Sequence, residues 1–138
     1  MKRFLFALFA TFLCAGPIAA QNYYEPARGS QERRDILDAI RPEVEWQLGV
    51  DTVEFVVHDL RVYDGLVYFS LTPQHPGGGE IKPRADQYFD NVGVTGFGAR
   101  WRGYWWSMDV VVGATDVWFY DSPYCRWYAQ VIPEYCPR

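Results

Sequence analysis

The sequence predicts an α+β domain: an N-terminal helix packed on a curved antiparallel sheet of about four strands, followed by a disulfide-stapled tail. Three observations predict it. Ile36, Ile40, Val44 and Leu48 recur every four residues, the spacing of one buried helix face. Two runs rich in β-branched and aromatic residues, centred on Asp64-Gly65 and on Arg102-Gly103, read as hairpins. A helix followed by hairpins is the element order of an α+β fold. Cystatin-like and nuclear-transport-factor-like architectures share that order, and such shapes host binders and enzymes alike. At 138 residues, 49% hydrophobic and 18% aromatic, the chain suffices for one domain and is too apolar for disorder.

The first twenty residues read as an address. Lys2 and Arg3 precede an apolar run from Phe4 to Gly16, and Ile18-Ala19-Ala20 supplies small residues for cleavage, so residues 1–20 are expected to be a signal peptide. The run is shorter than the roughly 20 residues that cross a bilayer as a helix. The expected product is periplasmic or secreted, with no membrane insertion after cleavage. Lys2 and Arg3 are the leader's only charged residues, so its removal takes the net charge from −4 to −6. That balance repels phosphate backbones and excludes nucleic acid as a partner. Cys14 leaves with the leader. The remaining Cys125 and Cys136 are expected to pair, a staple worth about 3 kcal/mol in the chain-entropy model.

Residues 21–29 form a lead-in, and residues 30–138 the domain. Ser30 suits a helix N-cap, with Glu32 and Asp35 adding negative charge near the first turn. Pro42 interrupts the helical pattern and predicts a kink, or a break that starts a second short helix. Gly49 suits the stop. A two-residue turn at Asp64-Gly65 sets Tyr63 opposite Leu66, Val62 opposite Val67 and Leu60 opposite Phe69. The same register sets His58 opposite Leu71. The apolar parity switches between Val57 and Leu60, which predicts a bulge near His58-Asp59. Residues 73–84, with three prolines and three consecutive glycines, read as irregular. In the second hairpin Phe97, Ala99 and Trp101 share a face with Tyr104, Trp106, Met108 and Val110. Thr115 or Asp116 is expected to cap a short helical turn, and residues 117–138 form an aromatic tail.

The stretch ERRDILDAIRPEVEWQLGVDTVEFVVHDLRVYDGLVYFSLTPQHPGGGEI, residues 32–81, resembles a group of small exported bacterial proteins of unknown function. A looser likeness runs through RWRGYWWSMDVVVGATDVW, residues 100–118. The resemblance implies an exported single domain and a shared fold. It supplies no substrate.

Chemistry-bearing residues are sparse. His58-Asp59 is the one histidine–carboxylate neighbour pair; as strand neighbours they point to opposite faces unless the bulge turns both to one side. A metal site from His58, His75 and Asp86 needs a convergence that spacing does not supply, and no ligand motif is present. Gly77-Gly78-Gly79 lacks the lysine and serine of a phosphate loop and reads as a flexible connection. No serine sits in a nucleophile-elbow context. Helix charges such as Arg34 and Asp38 read as a solvated, paired face. No cofactor is expected. The face turned away from the helix is expected to carry Arg61 opposite Tyr68 and Arg100 opposite Trp105, and these four are the candidate binding residues. Trp118, Phe119, Tyr124, Trp127 and Tyr128 either fold back over that face or leave it open. The expected function is a non-enzymatic periplasmic or secreted binding module for a protein, peptide or cell-envelope component, of which an inhibitor or immunity-type protein is one form. The alternatives are a small envelope enzyme using His58 with a nearby carboxylate, and a structural accessory protein.

Overall fold

Ser30 and Gly49 set the limits of the first helix, α1 (Gln31–Leu48). The Ser30 side chain accepts from the Arg33 backbone N–H, and Gly49 closes the helix in the left-handed conformation at φ 67°. A computed structural model describes residues 21–136, so the expected leader lies outside the described residues. The helix runs unbroken through Pro42, correcting the expected break. Pro42 faces solvent, while Ile40 and Val44 on either side are fully buried, so packing holds both halves in one helix despite the lost donor. Arg33 is the buried charged residue of this face. It donates to the Pro26 carbonyl at 2.9 Å and meets Glu25 at 3.3 Å, tying down the lead-in.

Five antiparallel strands follow: β1 (Glu54–Tyr63), β2 (Leu66–His75), β3 (Gly79–Glu80), β4 (Val94–Trp101) and β5 (Tyr104–Val112). Their order is β1-β2-β4-β5, with β3 paired to the end of β2. The expected α+β class is therefore present, with one two-residue strand beyond the four expected. That strand lies in the segment read as irregular. Gly77 and Gly78 take φ of 87° and 98°, which lets the chain reverse and pair His75 with Gly79.

The first hairpin has the expected register, from Tyr63 opposite Leu66 to Leu60 opposite Phe69. Asp64 and Gly65 both lie at positive φ, 47° and 73°, as a two-residue turn matched to strand twist requires. A β-branched residue at Gly65 is strained there whatever the space around it. Gly65→Val is expected to lower stability by about 1–3 kcal/mol, read from the denaturant midpoint; an unchanged midpoint would show that the turn tolerates the side chain. The expected bulge falls between Val57 and Asp59. His58 is the inserted residue, so it does not face Leu71; Val57 takes that place.

The second hairpin turns at Arg102-Gly103 and pairs Arg100 with Trp105. A second bulge, absent from the sequence reading, sets Phe97 opposite Asp109 but Gly98 opposite Ser107, leaving Met108 unpaired. Its consequence is a change of face. Trp105, Val110 and Val112 join Ile36, Ile40, Val44, Leu60, Val62, Val67 and Phe69 in the core between α1 and the sheet. Phe97 points the other way, into a second core with Tyr68, Phe119, Tyr128, Val131 and Ile132. The residues grouped with Phe97 therefore lie on the outer side, and Val110 leaves the group.

The tail makes that second core. Its helix α2 (Pro123–Tyr128) is capped by Ser122, not by Thr115 or Asp116, with Pro123 in the first turn where its missing donor costs nothing. Tyr124 stacks on Phe97 at 4.6 Å between ring centres, and Phe119 meets it edge-on at 5.1 Å. The Tyr128 hydroxyl donates to the Gly98 carbonyl at 2.7 Å, and the Trp118 indole to the Thr95 hydroxyl at 2.8 Å. A disulfide joins Cys125 to Cys136, which is buried.

Candidate functional site

The outer side of the sheet divides into a part under the tail and a part in solvent; of the four expected binding residues Arg61 and Tyr68 lie under the tail, and Arg100 and Trp105 are paired on the opposite face. Arg61 and Tyr68 are register partners on the outer face, as expected, and the tail covers both. The Arg61 guanidinium pairs with Asp59 at 2.7 Å and with Glu134 of the tail, and it lies over the Tyr23 ring at 4.6 Å rather than over Tyr68. Burial works against its charge, but the Asp59 and Glu134 hydrogen bonds outweigh that and hold its pKa above the ordinary guanidinium value. Tyr68 is 5% exposed. Burial first, with neighbouring Tyr135 and Asp59, pushes its hydroxyl up to about 12, so it stays neutral.

Trp105 corrects the expected placement most directly. It is 9% exposed and belongs to the core under α1, on the opposite side from Tyr68. Trp105 is the register partner of Arg100, on the face that Gly96 and Gly98 share. Gly96 and Gly98 leave the helix side of β4 without side chains, and Phe69 and Val67 lie over them. Arg100 remains exposed at the hairpin end.

His58 and Asp59 are engaged separately. The His58 Nε2 is 2.7 Å from the Thr72 hydroxyl, and Asp59 is held by Arg61. His75 sits at the end of β2, and Asp86 pairs with Arg84 at 3.1 Å. Among the described residues no three histidine, cysteine or acidic side chains are close enough to hold a metal ion. A hollow of about 470 Å3 opens between β2, β3 and the segment before β4. Thr72, Gln74, Glu80, Asp90 and Asn91 supply its polar lining, and His58 is not part of it.

No family model, curated protein or solved structure matches the chain.

The open part of the outer side is the β4–β5 hairpin. Trp101, Tyr104 and Trp106 are each more than half exposed, and Met108 is 49% exposed. Trp101 and Tyr104 face one another across the turn, and Trp106 follows two residues on, so the three project from the same face. Trp127 of α2 is also more than half exposed and meets the Tyr124 ring edge-on at 6.1 Å. The Tyr128 hydroxyl lies 3.3 Å from the Met108 sulfur and ties α2 to β5. Arg102 folds over the Trp101 ring at 4.5 Å. The sequence groups these aromatics correctly on one face but assigns that face to the core. Nothing in their spacing tells which side the helix takes and how far the tail reaches.

Proposed function

We propose that the protein is a non-enzymatic binding module that works outside the cytoplasm, in the periplasm or secreted, and recognises a protein, peptide or cell-envelope component. The observation that carries this reading is the exposed aromatic face of the β4–β5 hairpin. Rigid aromatic side chains offer large contact area at little entropic cost, and tryptophan, tyrosine and arginine dominate binding hot spots. Monomeric proteins seldom leave such rings together in water without a use for them. The Cys125–Cys136 bond is compatible with a non-cytoplasmic compartment, and no helix among the described residues is long and apolar enough to cross a membrane. Within this reading Arg100, the register partner of Trp105, lies on the opposite face of the hairpin and outside the contact surface. Arg61, Tyr68 and Trp105 support the surface from beneath, holding the tail or packing under α1.

The test is affinity capture from an envelope extract, run in parallel with the unaltered protein and with Trp106→Ala. Trp106 is solvent-facing, so its truncation is expected to leave the unfolding midpoint unchanged while weakening capture roughly tenfold or more. A partner retained equally by both forms would remove the hairpin from the interface.

A further inference from the structure

The tail closes over Tyr68 and Phe97 but stops short of the hairpin end. What it leaves bare is large. A fully covered aromatic side chain buries roughly 150–250 Å2, so the open parts of Trp101, Tyr104 and Trp106 amount to roughly 400 Å2. Met108 and the hairpin backbone add to that. The three rings alone supply about half of the ~800 Å2 that each partner contributes to a standard stable interface.

The distribution of charge indicates what covers it. Arg102 stands in the turn just before Tyr104, and Asp109 follows Met108; between them, Tyr104 to Met108 contains no ionisable group other than a tyrosine hydroxyl. A face that is basic at one end, acidic at the other and apolar between is complementary to itself once reversed. A two-fold axis lying between two such faces and across their strands, near Trp106, sets each Arg102 towards the other copy's Asp109. It also packs the two aromatic centres together. A uniformly acidic or uniformly basic ligand meets one repulsive end instead.

We infer that the outer face of the β4–β5 hairpin pairs with a second copy of this chain, forming an isologous dimer with the two hairpins antiparallel. The inference rests on the reading of this hairpin as the interaction surface and names its partner. The dimer buries Trp101 and Trp106, and its charged ends make association weaken as salt is raised.

Sedimentation velocity of the purified protein across a wide concentration series tests it. The expected species has twice the chain mass. Trp106→Glu, which sets two carboxylates against each other near the axis, is expected to give a monomer with an unchanged circular dichroism spectrum. Arg102→Glu, at an exposed turn position, is expected to weaken association by roughly tenfold or more, and adding Asp109→Arg to it restores association. Arg102→Glu alone still reads the charge pairing if the Asp109 change disturbs its neighbour Tyr124. A protein that is monomeric at every concentration overturns the inference, as does a dimer indifferent to both Trp106→Glu and Arg102→Glu. A monomer that still captures another protein in a Trp106-dependent way overturns the dimer and leaves the hairpin as the interaction surface.

Discussion

Phe97→Ala is expected to lower stability by about 3–5 kcal/mol, the range for removing a fully buried phenylalanine from a packed core. Phe97 has no exposed surface and touches Tyr68, Trp118, Phe119, Tyr124 and Tyr128. It is the ring on which the tail is assembled, and the residues around it come from a rigid strand and a cross-linked helix, which cannot both collapse into the vacancy. A denaturant titration followed by far-ultraviolet circular dichroism gives the stability change. Tryptophan emission shows where the loss falls, because Trp118 is expected to become more solvated before the sheet unfolds. A loss near 1 kcal/mol or below would mean that the tail does not rest on this ring.

Gly96→Ala is expected to cost about 3 kcal/mol, the upper end of what overpacking does, although it adds a single methyl group. A Cβ at Gly96 would lie 2.2 Å from the Asp109 carbonyl oxygen and 2.6 Å from the nearest atom of the Phe69 ring. The ring belongs to the fully buried core, and the carbonyl belongs to the neighbouring strand, so neither yields without moving its element. Trimming the ring with Phe69→Leu in the same chain is expected to recover only part of the loss, because the contact with the backbone remains. Thermal unfolding of the two single variants and the double variant checks this, and full recovery would assign the whole clash to Phe69.

Gly96 also explains where the sequence stops being readable. Strand faces are read from alternating side chains, and β4 offers a glycine at two of the positions that lie towards α1. With nothing to read at Gly96 and Gly98, the bulky Phe97 reads as a core residue facing the helix, and Trp105 is sent to the outside. The bulge at Met108 then carries Val110 back to the helix side, a change of phase that no local signal marks. The first hairpin was legible for the opposite reason. Asp64-Gly65 names its own turn, and the parity switch between Val57 and Leu60 announces its bulge. Of the candidate site, the pairings Arg61–Tyr68 and Arg100–Trp105 were legible because they follow from turn position alone. Their surroundings were not. Tyr23, which takes the Arg61 guanidinium, and Glu134, which pairs with it, lie at opposite ends of the chain, and periodicity carries no information over that separation.

That same arginine has a consequence for how the chain can be threaded. Tyr23 near the first described residues and Glu134 near the last both close on Arg61, and the Asn22 and Gln130 side chains are hydrogen-bonded to each other at 2.5 Å. Tyr24 pairs with Val62 through both backbone bonds, at 2.9 and 2.8 Å, which holds the early segment alongside β1. Segments from the two ends of the described residues thus meet at one place on the surface, and a short flexible linker between them spans little distance. Folds of this kind tolerate circular permutation when the new opening falls in an exposed turn without packed side chains. The turn at Pro76–Gly78 meets that description: its residues are exposed, and a Cβ at Gly77 meets no atom within 4 Å. The linear order of helix, hairpins and tail is therefore one of several in which these elements can be encoded, provided that Arg61 still gathers the joined ends.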